Sequence, residues 1–246
     1  MQLNMKSFWS FINSKRKNNT APSSVYLNGL EASGGANIAS TFARHFKSFY
    51  TSSSPDLPPI KPDPPISLQS MKVTREELMQ AIMVMNKNAG PGHDQIPALF
   101  ISNCCANLID PLLSIFNLSL ETGVFSERWK PCYIRPTHKS GNINNVENYR
   151  PITTTCAMAK LLDYLVTIKM LDKVKCVIIL EQHGFVHARS TVSNLVTLTH
   201  LISDSISSHI QVDAFYSDFS RAFDSVNHDL LLRKLNNIGI SGSILK

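Results

Sequence analysis

The stretch Phe215–Asp224, "FYSDFSRAFD", places two acids six residues apart at the end of an apolar segment. The alternation over Val212–Phe219 is typical of a β-strand, and Asp218 is the only charge on its face of that predicted strand. A carboxylate at a strand end binds Mg²⁺ where other hard oxygens converge on it. The alternative is that Asp218 caps the next helix or pairs with Arg221. Asp224 is interpreted as a structural residue at a helix start.

The composition indicates an intracellular, folded chain with a mild preference for polyanions. Its 246 residues are 43% apolar, which is enough for one large domain or two small ones with a substantial core. The net charge of +6 and a pI near 9.1 favour nucleic acid or an anionic membrane surface as partner. Five cysteines without CxxC spacing argue against a disulfide framework, so a reducing compartment, nuclear or cytoplasmic, is expected. No apolar run reaches the roughly 18 residues of a membrane span.

The chain before residue 68 is predicted to be a helical region followed by a linker. Residues 1–50 carry a weak helical pattern, with Phe42, Phe46 and Phe49 spaced by four and three. The basic "KSFWSFINSKRK" has two interpretations, a targeting signal or a surface helix. Six of the 13 prolines fall in Thr51–Ser67, which predicts an extended linker or a polyproline ligand. Residues 68–246 then form the main domain.

Helices alternate with short strands in the main domain, so the predicted fold class is α+β. Thr74 and Glu77 predict a capping box before a helix whose stripe contains Leu78, Ala81, Ile82 and Met85. A second helix ends at Gly123. Strands are predicted at "PCYIRP" and "NYRPIT", around the turn "KSGN". Further helices are predicted at Ala157–Leu171, Thr191–Ile206 and Asn227–Ile238, the last with Gly239 at its C′ position.

Several basic residues are candidate binding groups. Lys139 and Arg150 flank the predicted turn, and two cations near a carboxylate suit a triphosphate, although a solvated hairpin has the same pattern. Arg189 precedes a helix start and is either a contact to a nucleic-acid phosphate or a surface residue. His183 and His187 have ligand spacing, but Gly184 separates them and no third ligand is evident, so zinc is not favoured.

Five blocks in order resemble the reverse transcriptase of non-LTR (LINE-type) retrotransposons, and their character is similar to the jockey-like elements of arthropods. They are "NKNAGPGHDQIP", "WKPCYIRPTHKSGN", "ENYRPITTTCAMAKLLD", "EQHGFVHARSTVSNL" and "VDAFYSDFSRAFDSVNHDLLLRKLNNIGI". The resemblance covers about residues 70–246. The segments "FWSFINSKRK" and "IASTFARHFKSFY" resemble the connector that precedes this domain in such elements.

The resemblance implies a right-hand polymerase fold in which the fingers are followed by the palm. It implies that Asp218 is the first catalytic aspartate and a ligand of two Mg²⁺ ions, with Mn²⁺ as an alternative. The main-chain carbonyl of Phe219 becomes a further metal ligand. Phe223 falls where the family has a bulky steric gate against the ribose 2′-hydroxyl, and the alternative is that this ring belongs to the core.

The same resemblance assigns the groups that bind the incoming dNTP. Arg221 and Ala222 offer backbone N–H groups to the triphosphate, and Lys139 and Arg150 match the cations of the fingers that hold its phosphates. The implied partners are an RNA template, a DNA primer and dNTPs, and neither a membrane nor a specific protein partner is expected. Arg189 remains a candidate contact to nucleic acid.

One departure from the family pattern limits the expected activity. The family has an aromatic-x-Asp-Asp block downstream, whereas this sequence contains no Asp-Asp pair and continues for 28 residues after Asp218. We therefore expect an N-terminal piece of a reverse transcriptase, comprising connector, fingers and first palm motif, that is inactive alone. The strand Val212–Phe219 is expected to lack neighbours. The alternative function is a non-catalytic nucleic-acid-binding remnant of such an element.

Overall fold

The computed structural model describes residues 22–50, 58–60 and 63–245. The chain divides into two compact units, one containing Met1–Phe49 and Arg135–Ile152, the other Tyr50–Ile134 and Thr153–Lys246. Helices and two two-stranded sheets make up the described part, which confirms the α+β class. None of the helices in these described ranges is both long and apolar enough to cross a membrane.

The first unit begins with a β-hairpin that the sequence interpretation missed. Strands β1 (Ser24–Leu27) and β2 (Leu30–Ser33) pair antiparallel, with Leu27 opposite Leu30. Asn28 and Gly29 join them at φ values of 52° and 78°, the left-handed backbone that a two-residue hairpin turn requires. The weak helical pattern predicted for residues 1–50 is therefore wrong over residues 24–33. The basic segment "KSFWSFINSKRK" lies outside the described residues.

Helix α1 (Gly35–Lys47) covers this hairpin with the predicted phenylalanine stripe. Phe42, Phe46 and Phe49 are buried together with Val25, Val146 and Tyr149. The rings of Phe42 and Tyr149 meet edge-to-face with centroids 4.8 Å apart, a favoured aromatic geometry. The core of the first unit therefore joins its N-terminal elements to the residues around Tyr149.

The second sheet contains β3 (Tyr133–His138) and β4 (Tyr149–Thr154), as the sequence predicted. A 3₁₀ turn, Val146–Asn148, precedes β4, and its N-cap side chain Asn145 accepts a hydrogen bond from the Glu147 amide at 3.0 Å. The glycine of the connecting segment, Gly141, has a φ of 83°. Lys139, the first residue of this connection, and Arg150, the second residue of β4, therefore lie at the same end of the sheet.

The second unit is a helical assembly around one core. Its helices are α2 (Arg75–Val84), α3 (Ala98–Asn103), α4 (Cys105–Thr122), α5 (Ala157–Val174), α6 (Thr191–Ser207) and α7 (His228–Ile238). The capping box of Thr74 and Glu77 is present, and Gly123 ends α4 in the left-handed conformation, both as predicted. Leu78, Ala81 and Ile82 of α2 are buried against residues of α4 and α5, which confirms the predicted stripe.

The end of the proline-rich segment pairs with the chain that leaves α7. The amides of Ile66 and Leu68 donate to the carbonyls of Ile238 (3.2 Å) and Gly239 (2.9 Å), and the Ser241 amide donates to the Leu68 carbonyl (2.9 Å). Of the predicted linker Thr51–Ser67, residues 51–57 and 61–62 lie outside the described residues. The remainder is irregular, as expected of proline-rich chain, but its last residues are held in the second unit.

The predicted strand Val212–Phe219 is wrong for this structure. Residues 210–219 have no regular secondary structure, and Phe215, Tyr216 and Phe219 are exposed. A strand forms only where a neighbour accepts and donates its ladder hydrogen bonds, and no strand in the described ranges pairs with this segment. Helix α6, which precedes it, buries none of its residues.

Candidate functional site

Asp218 lies in the exposed segment that precedes the turn 220–225. It does not cap the following helix, because the N-cap of α7 is Asn227, whose side chain accepts from the Leu230 amide at 3.0 Å. Asp224 lies within the turn and not at the first helical residue, His228. The structure therefore leaves the Asp218 carboxylate on the surface, beside the turn that contains Arg221, Ala222 and Phe223.

The surroundings of Asp218 do not form a metal centre on their own. Among the described residues, no group of three or more His, Cys, Asp or Glu side chains is placed to hold a metal ion. A two-metal site requires ligands for two ions about 3.5–4 Å apart, which one carboxylate does not supply. The two-metal centre that the resemblance implies therefore does not fit these residues alone.

A hydrogen-bonded turn reverses the chain after Asp218. The Ser225 amide and hydroxyl both donate to the Arg221 carbonyl, at 3.1 and 2.9 Å. Arg221 has a φ of 56°, in the left-handed region that non-glycine residues rarely occupy. Phe223 lies within this turn, and its side chain is exposed.

Phe223 is 79% exposed, so the alternative that it belongs to the core is wrong for this structure. Its one described ring partner is Phe185, which is itself 90% exposed. The two centroids lie 5.9 Å apart with the rings at 88°. The sequence interpretation missed Phe185, because a contact between residues 38 positions apart leaves no local pattern. The only sequence feature that could have drawn attention to Phe185 is its place after Gly184 in a segment rich in polar residues.

Arg189 organises the loop that contains Phe185. Its guanidinium donates to the carbonyls of Leu180 and Gln182, the latter at 2.6 Å. His183 Nδ1 lies 2.9 Å from the hydroxyl of Ser193, in the capping box at the start of α6. In this structure Arg189 therefore has a structural role, holding the loop through two backbone carbonyls. Its contact with a nucleic-acid phosphate stays a prediction.

Lys139 and Arg150 lie at the turn end of the β3–β4 sheet, where the sequence placed them. The Lys139 amide donates to the Asn148 carbonyl at 2.9 Å, and Arg150 is the second residue of β4. Both side chains are exposed. They belong to the first unit, whereas Asp218, Arg221, Ala222 and Phe223 belong to the second.

The first unit contains a groove of about 870 Å³. It is lined by Gly34, Gly35, Ile38, Phe42, His138 and Tyr149, among others. Lys139 and Arg150 follow the lining residues His138 and Tyr149 in the chain, but they are not themselves among the lining residues. Helix α1 starts at the groove with no side-chain cap and no acid in its first turn, so its amides carry the positive end of the helix dipole.

No protein-family model matches the chain. It is 29% identical over 176 residues to a protein of Drosophila melanogaster named "Probable RNA-directed DNA polymerase from transposon BS", covering 70% of this chain and 19% of that protein. It is 26% identical over 170 residues to the "Retrovirus-related Pol polyprotein from type-1 retrotransposable element R2" of Popillia japonica, covering 68% and 22%. The chain is thus similar to two retrotransposon proteins, which confirms the resemblance to non-LTR reverse transcriptases. It spans less than a quarter of the length of either relative.

Proposed function

We propose that this chain carries the fingers and first palm motif of an RNA-directed DNA polymerase from a non-LTR retrotransposon. The observation that carries the proposal is its relationship to two retrotransposon proteins over about two thirds of its length. The α+β class and the positive net charge of +6 are compatible with it. In the complete enzyme the substrates are an RNA template, a DNA primer and dNTPs.

Lys139 and Arg150 are the proposed phosphate ligands of the fingers. Nucleotidyl transfer depends on positioning and charge neutralisation more than on covalent chemistry, so cations that hold the triphosphate in line are central to it. The support is their shared, exposed position at the turn end of one sheet. A guanidinium also binds phosphate oxygens in a bidentate manner, which fixes orientation as well as charge.

The residues after Asp218 are the proposed nucleotide contacts of the palm. In the complete enzyme, Asp218 and the main-chain carbonyl of Phe219 would hold a Mg²⁺ ion together with ligands that the described residues do not supply. Arg221 and Ala222 direct backbone N–H groups at the triphosphate, and Phe223 excludes a ribose 2′-hydroxyl by direct contact. The exposure of the Phe223 ring supports this role, because a ring packed in a core is not accessible to a sugar.

A nucleotide-binding measurement tests the proposal. Equilibrium dialysis of labelled dUTP against the wild-type chain and a Lys139→Ala/Arg150→Ala variant should show weaker binding by the variant, because two phosphate contacts are lost. Lys47→Ala is the matched control, since Lys47 is an exposed cation of α1 in the same unit. Equal affinity in all three proteins would contradict the assignment of Lys139 and Arg150.

A non-catalytic nucleic-acid-binding protein is the second candidate function. The observation that favours it is the missing group of metal-binding side chains around Asp218 in the described residues. Such a protein binds RNA while showing no preference between dUTP and UTP. The polymerase proposal requires such a preference, so comparison of the two nucleotides separates these functions.

A further inference from the structure

Phe185 and Phe223 form an aromatic pair on the surface of the second unit. Each ring is largely in solvent, at 90% and 79% exposure, yet their centroids lie 5.9 Å apart at 88°. Edge-to-face contact at this distance is a favoured arrangement of two aromatic rings. For Phe223, this contact restrains a ring that solvent alone would leave free to change rotamer.

The loop around Phe185 has its own restraints. Arg189 joins the carbonyls of Leu180 and Gln182, and the Gln182 side chain donates to the Gly184 carbonyl at 2.9 Å. Phe185 itself has a φ of 61°, a backbone conformation that is costly for a bulky residue and persists only where its surroundings hold it. The loop thus presents the Phe185 side chain on a fixed backbone.

We propose that Phe185 is a positioning residue that orients the Phe223 ring and thereby strengthens the discrimination between deoxyribonucleotides and ribonucleotides. This inference rests on the proposed role of Phe223 as a steric gate. A steric gate rejects a hydroxyl only while the ring occupies the position of that hydroxyl. Phe185 restricts Phe223 to one orientation through its edge-to-face contact, without itself contacting the sugar.

The contact is tested first, independently of any nucleotide. 4-Fluorophenylalanine is incorporated at position 223 and its ¹⁹F resonance is recorded in the otherwise wild-type chain, in Phe185→Leu and in Phe215→Leu. Phe215 is a matched control because it is 96% exposed and lies in the preceding segment. The resonance should shift and narrow in Phe185→Leu, since the neighbouring ring current and the restraint disappear, and it should stay unchanged in Phe215→Leu. Identical spectra in all three proteins would overturn the inference.

The consequence for specificity is tested by the ratio of dUTP to UTP affinity, since the two ligands differ only at the 2′ position. Phe223→Ala should remove the preference for dUTP. Phe185→Leu should lower the ratio by roughly two- to tenfold, the factor that one aromatic pair contributes. Phe185→Tyr should restore the wild-type ratio, and Phe215→Leu should retain it.

Two negative results have different meanings. A wild-type chain that binds dUTP and UTP equally contradicts the gate itself, and with it both the proposed function of Phe223 and the role of Phe185. A ratio that changes in Phe223→Ala but is the same in Phe185→Leu and the wild type contradicts only the role of Phe185. The ¹⁹F spectrum shows whether the Phe185 and Phe215 variants are folded around position 223, and circular dichroism shows whether Phe223→Ala is folded.

Discussion

The side-chain amide of Asn117 hydrogen bonds to both backbone groups of Val73. The Val73 N–H donates to Asn117 Oδ1 at 2.8 Å, and Asn117 Nδ2 donates to the Val73 carbonyl at 3.0 Å. Val73 is 2% exposed, so water does not readily replace these bonds. This pair of bonds fixes the chain entering α2 against α4, and α2 carries much of the core of the second unit.

Asn117→Ala should lower the free energy of unfolding by about 1–3 kcal/mol, because it leaves a buried donor and a buried acceptor without partners. Urea denaturation followed by circular dichroism measures the change. Asn103→Ala, at an exposed position at the end of α3, should change it by less than about 0.5 kcal/mol. A similar effect of the two substitutions would contradict the importance of the Asn117–Val73 bonds.

Glu77 should make the stability of the second unit sensitive to acid. Burial raises the pKa of this carboxyl, but hydrogen bonds from Lys169 and from the Thr74 backbone outweigh burial and hold the pKa below its usual value of 4.5. Lys169 Nζ lies 2.6 Å from Glu77 Oε1. A lowered pKa in the folded state means that the stabilisation is present above pH 4.5 and is lost as the pH falls through the folded-state pKa.

Glu77→Gln should therefore lower the melting temperature at pH 7. The difference in melting temperature from the wild type should become smaller as the pH is reduced below 4.5. Glu76→Gln is the control, since Glu76 is an exposed acid on the same turn of α2. Melting temperatures of the three proteins between pH 3 and pH 7 give the comparison. A difference between wild type and Glu77→Gln that is constant over this range would contradict the ionic contribution.

Gly239→Ala should separate the segment at Ile66 from the end of α7. Gly239 has a φ of 103°, and an added Cβ would lie 1.7 Å from the Ile66 carbonyl oxygen. The left-handed backbone costs a residue with a side chain about 1–2 kcal/mol, and the clash adds to this cost. Limited proteolysis should therefore cut Gly239→Ala, but not the wild type, between residues 63 and 68. Gly90→Ala is the control, because a Cβ there meets nothing within 4 Å, and it should be cut like the wild type.

RNA binding should weaken steeply as salt rises. A basic chain releases condensed counterions when it contacts phosphates, so the logarithm of affinity falls by about 0.7 for each contact per tenfold rise in salt on a single strand. Fluorescence anisotropy with a labelled oligoribonucleotide between 50 and 200 mM NaCl measures this slope. An affinity that stays flat over this range would contradict binding through phosphates, and added sucrose controls for osmotic effects.

Local signals in the sequence were sufficient to predict most of the helices and one of the two sheets. Thr74 with Glu77 and the glycine at 123 mark helix ends through hydrogen bonds within a few residues, so the sequence alone reveals them. The two cations at Lys139 and Arg150 were placed correctly on one hairpin for the same reason. Asn28-Gly29 is also a local turn signal, and the hairpin there was missed because the phenylalanine spacing further along favoured a helix for the whole region.

Long-range relationships were not accessible from the sequence. The alternating residue types in Val212–Phe219 predict which side chains would share a face if this segment were a paired strand. They do not show whether a partner strand is present, and in the structure the segment is irregular. The Glu77–Lys169 ion pair joins residues 92 positions apart, and the Phe185–Phe223 contact joins two loops. Such contacts follow from tertiary packing, which single-sequence patterns do not encode.

The most direct test of the central claim is RNA-templated DNA synthesis by a chimaera. The 176-residue matched region of the Drosophila melanogaster transposon BS protein is replaced by the corresponding region of this chain. Extension of oligo(dT) on poly(rA) with labelled dTTP is compared with the unaltered parent, whose activity is established first in the same assay. The present chain alone is assayed in parallel, and no incorporation is expected from it. The account predicts that the chimaera extends the primer and that Asp218→Asn abolishes extension without weakening template–primer binding. A chimaera that binds template–primer but does not extend it, or one that is equally active with Asp218→Asn, would contradict the account.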